Sequence, residues 1–420
     1  MKEHILHIGF HPAFKSFIDF EHANVTVIIH SKLLELYPDE LTKFAAVKEL
    51  KVAHNLNLNE YHNAMDQIES LADELSAAFG KPTAIVGMFE HVTLPAAKLR
   101  ERYGLAGTKP LIAERFRDKV VMKSALRNSD IRYPWFVAFS DEADIAGKVD
   151  ELFARSAKVI VKPKSQAAAQ GIRVFTDAAS CVDYLRELDD VSEVEAEEFI
   201  EGRLLHFDGL YENGAFRFFS VSEYFHGCFE VVHEGQHLVS YTIDDPSLFA
   251  RVQELGLDVI RELGLERGVF HGEVFCTPDD DLVFLEIGNR FGGAGVSPTL
   301  KKVFDFDIVA ESIRVDLGQA SQYAGPTRSI DTGKVGTYVY IALPTTKPCE
   351  VEKVNGLSLL PDSVLHHDTP GVGAKLNVAA MPFPASGKFI LCNASAEQAQ
   401  ADARSIIRSY SIEVGVIGDA

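Results

Sequence analysis

Apolar residues near the N-terminus fall in short β-branched runs, Ile5–Phe10 and Val25–Ile29, the pattern of parallel strands buried on both faces. Elsewhere the apolar spacing lengthens to three and four, most clearly over Glu60–Phe79, which predicts an amphipathic helix. Thr83–Met88 predicts a further strand and Leu94–Arg102 the helix behind it. Alternating strands and helices over residues 1–115 predict an open α/β domain. Gly9-Phe10-His11-Pro12 reads as a strand-end turn, and the domain holds no Gly-x-Gly-x-x-Gly fingerprint for a dinucleotide.

Arg117–Ser129 is helical in pattern and ends before Ile131-Arg132-Tyr133-Pro134, where Pro134 forces extended backbone. Residues 135–200 then read strand, helix, strand, hairpin, helix, strand. With the helix before it, this makes an α+β unit, 116–200, small enough to act as a lid. Residues 201–325 are expected to hold longer strands and hairpins to about residue 300, followed by a helix over Asp307–Leu317. Residues 326–420 read as short strands closed by a helix near Glu397–Tyr410, with His366-His367-Asp368 in a loop before Pro370-Gly371. The fold class is therefore α/β combined with α+β.

A chain of 420 residues exceeds what one core organises, so several subdomains are expected. Its 46% hydrophobic and 24% charged residues are those of a globular protein. A formal net charge of −20 argues against nucleic acid as the main partner, because phosphate backbones need clustered cations. Cys181, Cys228, Cys276, Cys349 and Cys392 form no Cys-x-x-Cys pair and read as free thiols of a reducing compartment. No apolar stretch of about 18 residues suggests a membrane span, and no signal peptide is evident. A cytoplasmic protein follows, and a homodimer is compatible with it.

Candidate chemistry begins with His271-Gly-Glu273 and Glu286, on two alternating runs flanking the turn-forming Pro278-Asp279-Asp280-Asp281. A turn centred between Asp279 and Asp280 sets Glu273 directly opposite Glu286, and on the other face Val274 opposite Leu285 and Cys276 opposite Val283. Like charges placed opposite each other are destabilising, so such a pair calls for a compensating cation. Hard carboxylate oxygens suit magnesium bridged to phosphates. Read alone, the pair is equally compatible with a solvated hairpin face. The continuation Glu286-Ile-Gly-Asn289-Arg290-Phe-Gly292-Gly293-Ala-Gly295 shifts that balance. Arg290 can clamp a phosphoryl oxygen, and the glycines allow close approach of a substrate.

Val159-Ile-Val-Lys162-Pro163 ends a buried strand on a cation, and Lys164-Ser-Gln-Ala-Ala-Ala-Gln-Gly171 follows as a small-residue loop that can cover phosphates. A strand-end lysine reaching to water is the alternative for Lys162. Lys119 opens a helix, against the helix dipole, and a bound phosphate would explain it. Glu197-Glu198-Phe199-Ile200-Glu201-Gly202 leaves the small unit as a connector able to read an adenine edge with its backbone, with Glu201 placed for ribose hydroxyls. Tyr224–His237 is a candidate substrate wall. Its His226, His233 and His237 match no usual zinc spacing.

Taken in order from Arg117 to Gly293, these motifs resemble the ATP-grasp superfamily, in its biotin-carboxylase-like branch, and within it the bacterial L-amino-acid ligases that make dipeptides. Thr93–Arg100 and Tyr103–Gly107 extend the likeness into the preceding, pre-ATP-grasp domain. The resemblance implies ATP held between a small lid and a larger α+β domain. It places Lys119 and Lys162 on the phosphates, Glu198 and Ile200 on adenine through their main chain, and Glu197, Phe199 and Glu201 beside the nucleotide. Glu273 and Glu286 become magnesium ligands (manganese is an alternative ion), and Arg290 steadies an acyl phosphate. His271, Gly292 and Gly293 fall on the substrate side, where a small carboxylate and an amine would meet. One departure stands out. Many relatives have Glu-x-Asn-x-Arg, whereas Gly288 occupies the Asn position here and Asn289 follows it, so Asn289 is the amide left to serve as metal ligand.

Overall fold

The computed structural model describes residues 2–52, 60–166, 171–376 and 383–417. Strands β1 (Glu3–Ile8), β2 (Ala23–His30), β3 (Ala46–Leu50) and β4 (Ala84–Val86) form a parallel sheet in the order β3-β2-β1-β4. The edge strand β3 is half-buried and carries Lys48 and Glu49, which is why the apolar pattern does not reveal it. The expected Glu60–Phe79 helix is two pieces, Glu60–Asn63 and Met65–Phe79, separated at Ala64 (φ −92°, ψ 21°). The chain reverses its strand order beside β1, so the carboxyl ends of β1 and β4 open a crevice, the usual ligand position in such sheets. Glu90 begins the next helix, Glu90–Tyr103, at that edge.

The small unit follows the expected order. Strands β5 (Phe136–Ala138), β6 (Val159–Pro163), β7 (Arg173–Phe175) and β8 (Val194–Glu198) form an antiparallel sheet in the order β5-β8-β6-β7. Helices Ile145–Phe153 and Ala178–Arg186 cover it, with Val149, Leu152, Cys181 and Leu185 fully buried beneath.

The largest sheet carries the hairpin. Its strands β9 (Arg203–Glu212), β10 (Ala215–Tyr224), β11 (Leu238–Thr242), β12 (Arg267–Cys276), β13 (Leu282–Gly288) and β14 (Val335–Ala342) are antiparallel. Further on lie β15 (Cys349–Asn355), β16 (Val364–Asp368), β17 (Lys375–Leu376), β18 (Ala385–Asn393) and β19 (Ser411–Val416). The order is β13-β12-β9-β10-β11-β14-β18-β16, and β17-β15-β19 make a separate small sheet. His366-His367-Asp368 thus lies in the edge strand β16, paired with β18, and not in a loop.

The expectation of strands and hairpins as far as residue 300 is also corrected, because Pro246–Leu263 is an 18-residue helix. Its signals are in the sequence. Asp245 caps it through the N–H groups of Ser247 and Leu248, Pro246 fits the first turn, and Gly264 closes it at φ 81°. This helix and the Lys119–Leu126 helix seal one face of the sheet over Phe207, Phe219, Phe249 and Phe270, all fully buried. Each such phenylalanine contributes about 1.5–3 kcal/mol of transfer free energy. Helices Val296–Phe304 and Ile308–Asp316 pack on the opposite face, where Phe218 and Phe306 stack at 4.1 Å. Among the described residues, no helix is long and apolar enough to cross a membrane.

Candidate active site

The hairpin reaches the expected pairing by a different route. Cys276 faces Leu282 and Val274 faces Phe284, so the turn is centred on Asp279, with Asp280 at φ 63°. Continued without interruption, that register would set Glu273 opposite Leu285. A bulge at Leu285 restores Glu286 to the position opposite Glu273. The expected pairs Val274–Leu285 and Cys276–Val283 are therefore not formed. On its other side β12 pairs with β9, which sets His271 opposite Asp208 and Glu273 opposite His206. Gly272, between His271 and Glu273, leaves room for the Phe207 ring, which a Cβ would meet at 2.2 Å.

The two carboxylates line a narrow cleft together with Glu90, Phe116, Arg117, Lys119, Met122, His271, Ile287, Gly288 and Arg290. They differ in charge. Burial and the neighbouring Glu286 push Glu273 up to about 7, so near neutral pH it is partly protonated. Glu286 is also buried, but Lys119, Lys162 and Arg290 outweigh that cost and hold it ionised well below the usual range. The Lys119 ammonium lies 3.2 Å from Glu286 and donates to the Gln166 carbonyl at 2.9 Å. Asp118 caps the helix that Lys119 opens, accepting from the N–H groups of Val120 and Val121. This carboxylate at the helix start offsets the dipole that Lys119 opposes.

Lys162 stands one residue before the end of β6, buried, with Nζ 2.5 Å from Glu197 and 3.9 Å from Glu195. Burial disfavours its charge, yet Glu197, Glu195 and Glu286 outweigh burial and raise its pKa. Glu197, expected beside the nucleotide, is 2% exposed, and its carboxylate is held by Lys162 and Lys123. Lys123 is fully buried, 2.7 Å from Glu195, and is one of the residues the sequence reading missed. Its signal was available: it stands four residues after Lys119, on the same helix face.

Three further groups were also missed. Glu90, from the N-terminal domain, accepts from Arg290 Nε at 2.9 Å, and Arg117 donates to the Glu90 carbonyl at 3.1 Å. Asp208 lies between two histidines, with His271 Nδ1 at 2.8 Å from one oxygen and His206 Nδ1 at 2.6 Å from the other. Burial opposes the Asp208 charge, but His271 and His206 outweigh it and hold the carboxyl far below the usual range. His206, Asp208 and His271 are also the described residues that cluster closely enough to share an ion. The remaining ring nitrogen of His271, Nε2, faces Glu273 at 3.9 Å.

The connector after β8 is partly exposed. Glu198 accepts from the Trp135 N–H at 2.7 Å and from Arg132; Lys158 covers the Phe199 ring at 5.3 Å and pairs with Glu201 at 2.7 Å; Ile200 lies between them. The structure places Asn289, expected as a metal ligand, away from the two carboxylates. Its amide donates to the Val269 carbonyl at 2.9 Å and accepts from Thr108 at 3.2 Å, in a separate cavity, while Gly288 faces the carboxylates. Gly292 is buried against Asp208 and Val296, and Gly293 is exposed. Of the wall segment, Tyr224 and Cys228 reach Glu273, at 3.4 and 3.9 Å, and His237 accepts from the Ala342 N–H. Ala167–Gln170 of the expected phosphate loop lie outside the described residues.

No protein-family model matches the chain. It is 28% identical over 273 residues to an L-arginine-specific L-amino acid ligase of Bacillus subtilis, covering 62% of this chain and 64% of the relative. It is 24% identical over 299 residues to the alanine–anticapsin ligase of Bacillus subtilis strain 168, covering 65% and 61%. The chain thus spans a little under two thirds of the length of these curated relatives. A crystal structure of an L-amino acid ligase from Bacillus licheniformis superposes with a TM-score of 0.74 at 20% identity, over 98% of both chains. The biotin carboxylase domain of the Hydrogenobacter thermophilus 2-oxoglutarate carboxylase, solved with MgADP and bicarbonate, gives 0.69 at 15%, covering 99% of this chain and 91% of that one. The fold is the ATP-grasp fold, and the chain is similar to L-amino acid ligases.

Proposed function

We propose that this ATP-grasp chain is an ATP-dependent carboxylate–amine ligase that joins small amino-acid-like substrates. A substrate carboxylate oxygen bonds the γ-phosphorus of ATP as the bond to ADP breaks, giving an acyl phosphate. The amine nitrogen then bonds the acyl carbon, phosphate leaves, one N–H proton is lost, and an amide results. The observation that carries this reading is the Glu273–Glu286 pair inside a cleft that also presents Lys119, Arg117 and Arg290.

The residues fit a hard divalent ion. Two carboxylates face each other, and one holds a proton near neutrality that a dication would displace. Magnesium there, or manganese with the same preference for oxygen, supplies charge neutralisation on the phosphates. Lys119 and Lys162 approach from the lid side and orient the phosphates. Arg290 holds the acyl-phosphate oxygen, and His271, braced by Asp208, meets the reacting end of the substrate. Such a reaction relies on positioning and electrostatics more than on acid–base chemistry. In this reading residues 116–200 close over the nucleotide, with the connector at Glu198–Glu201 against its adenine, and exclude water that would hydrolyse the acyl phosphate. Residues 1–115 and 201–325 form the walls of the cleft, and 326–420 buttress the large sheet. A cytoplasmic setting supplies ATP and keeps the five free cysteines reduced.

The test is phosphate release across a panel of paired amino acids, with product masses. Release that needs both partners, with a product one water lighter than their sum, supports the ligase. Release driven by bicarbonate would instead mark a carboxylation. Nucleotide binding that no acid and amine convert to turnover would mark a regulatory ATP-binding protein.

A further inference from the structure

Asn289 stands between two residues of the cleft, Gly288 and Arg290, yet it lines a separate cavity that shares no residue with the cleft. The pairing of β12 with β13 ends at His271 and Gly288, and residues 289 and 290 form a bend. Where the backbone ladder stops, the Asn289 side chain continues it. Its amide nitrogen donates to the Val269 carbonyl at 2.9 Å, on the strand that also carries His271 and Glu273. Its amide oxygen accepts from Thr108 at 3.2 Å, in the segment between the Glu90–Tyr103 and Pro110–Arg115 helices. A primary amide both donates and accepts, so one side chain serves both partners. Gly268 makes room for it, because a Cβ there would lie 2.3 Å from the amide nitrogen.

The same cavity holds a second fastening, Arg100 at 2.6 Å from Asp316, whose other oxygen accepts from the Gly87 N–H at 2.9 Å. That ion pair joins the N-terminal sheet to the Ile308–Asp316 helix without touching the segment that carries Glu286 and Arg290. Asn289 alone ties that segment to Thr108, and the next residue is the cleft arginine. We propose that Asn289, seated by Gly268 and held by Thr108, is a positioning residue for Arg290. It fixes the backbone from which the guanidinium reaches a phosphoryl oxygen, and it registers that point against β12, which carries Glu273. The proposal rests on the ligase reading, in which Arg290 holds the acyl phosphate, and adds to it three residues that lie outside the cleft. A displacement of about 1 Å in such a group is enough to cost about 100-fold in rate. The lysines that face the nucleotide lie on other elements, so the effect falls on the phosphoryl group and not on the nucleotide.

The test titrates full-length protein, saturated with MgADP, with inorganic phosphate, the product that Arg290 would hold. Calorimetry should find phosphate about tenfold or more weaker in Asn289→Ala and in Gly268→Ala, the loss of a charge-assisted hydrogen bond, with MgADP affinity within about threefold of wild type. The double variant should bind phosphate no more weakly than Asn289→Ala alone, because the added methyl group then has no amide to displace. Thr108→Val should weaken phosphate in the same direction, and Thr108→Ser, which keeps the hydroxyl, should restore it. This second pair lies at a half-buried site and keeps the proposal testable if Asn289→Ala fails to fold. Unchanged phosphate affinity in the folded variants overturns the proposal. Equal weakening of phosphate and MgADP overturns it too, since that marks a general loosening, as do additive losses in the double variant or no phosphate binding by the wild type. Amide formation is scored separately, with kcat expected to fall in Asn289→Ala at an unchanged KM for ATP. Its absence from the wild type with every pair of substrates refutes the ligase reading, while the phosphate titration still tests the role of Asn289.

Discussion

Lys123→Met probes the buried network beneath the cleft. Lys123 is fully buried and joins two carboxylates, Glu195 at 2.7 Å and Glu197 by a shorter contact. Without it, Lys162 stays close to Glu197 at 2.5 Å but lies 3.9 Å from Glu195. Glu195 already has one oxygen, Oε2, with no hydrogen-bond partner. The variant therefore leaves Glu195 as a buried charge with no close counter-ion. Breaking a buried pair in this way costs about 3–5 kcal/mol. Methionine matches much of the lysine stem, so packing loss should add less than about 1.5 kcal/mol. Trp135 is the one tryptophan of the chain, and its backbone N–H donates to Glu198 at the end of β8, so its fluorescence reports the unit that holds Glu195. Urea melts followed by that signal should show the full loss in Lys123→Met. Lys123→Met combined with Glu195→Gln should recover about 2 kcal/mol or more, because the uncompensated charge is gone. A coupling energy under about 0.5 kcal/mol would show that the two groups do not act together, and would refute the charge argument.

Glu286→Ala is expected to abolish ADP formation while leaving the circular dichroism spectrum unchanged; retained turnover would sink the metal assignment. Magnesium binding to the ADP-loaded protein should expel the Glu273 proton. Because burial and Glu286 raise that group to about 7, the proton competes with the metal below pH 7 and is absent well above it. Calorimetry in two buffers of different ionisation enthalpy should then find about 0.9 proton released at pH 6 and about 0.1 at pH 8, with affinity about tenfold weaker at pH 6. A release that does not vary with pH would exclude Glu273 as a ligand. Gly272→Ala places a methyl group 2.2 Å from the Phe207 ring and should cost about 1–3 kcal/mol of stability, read from a urea melt. An unaffected melt would mean that the ring is free to move aside.

How far the sequence carries this structure depends on the range over which each signal acts. The strand–helix alternation of the first domain and the order of elements in 135–200 follow from local periodicity, and both appear in the structure. The edge strand β3 does not, because a half-buried edge needs no apolar run. The site divides in the same way. Glu273, Glu286, Lys162 and Arg290 lie in motifs read along the chain. Glu90 and Asp208 join the site only through tertiary packing: 200 residues separate Glu90 from Arg290, and 63 separate Asp208 from His271. The pairing of Glu273 with Glu286 is the instructive case. An even turn places them face to face on paper. The real turn is shifted by one residue, and a bulge at Leu285 compensates for it. A bulge is a property of the sheet as a whole, invisible to the alternation of one strand, and here it brings two like charges together where an unbroken ladder would have set an apolar side chain. The same bulged strand places Gly288 on the cleft side and directs Asn289 to Val269 and Thr108, so the missing amide is a consequence of the backbone path and not only of the residue that follows it. That leaves two carboxylates without an amide beside them, and for the proposed magnesium site the stoichiometry measured in the proton-release titration distinguishes one ion from two.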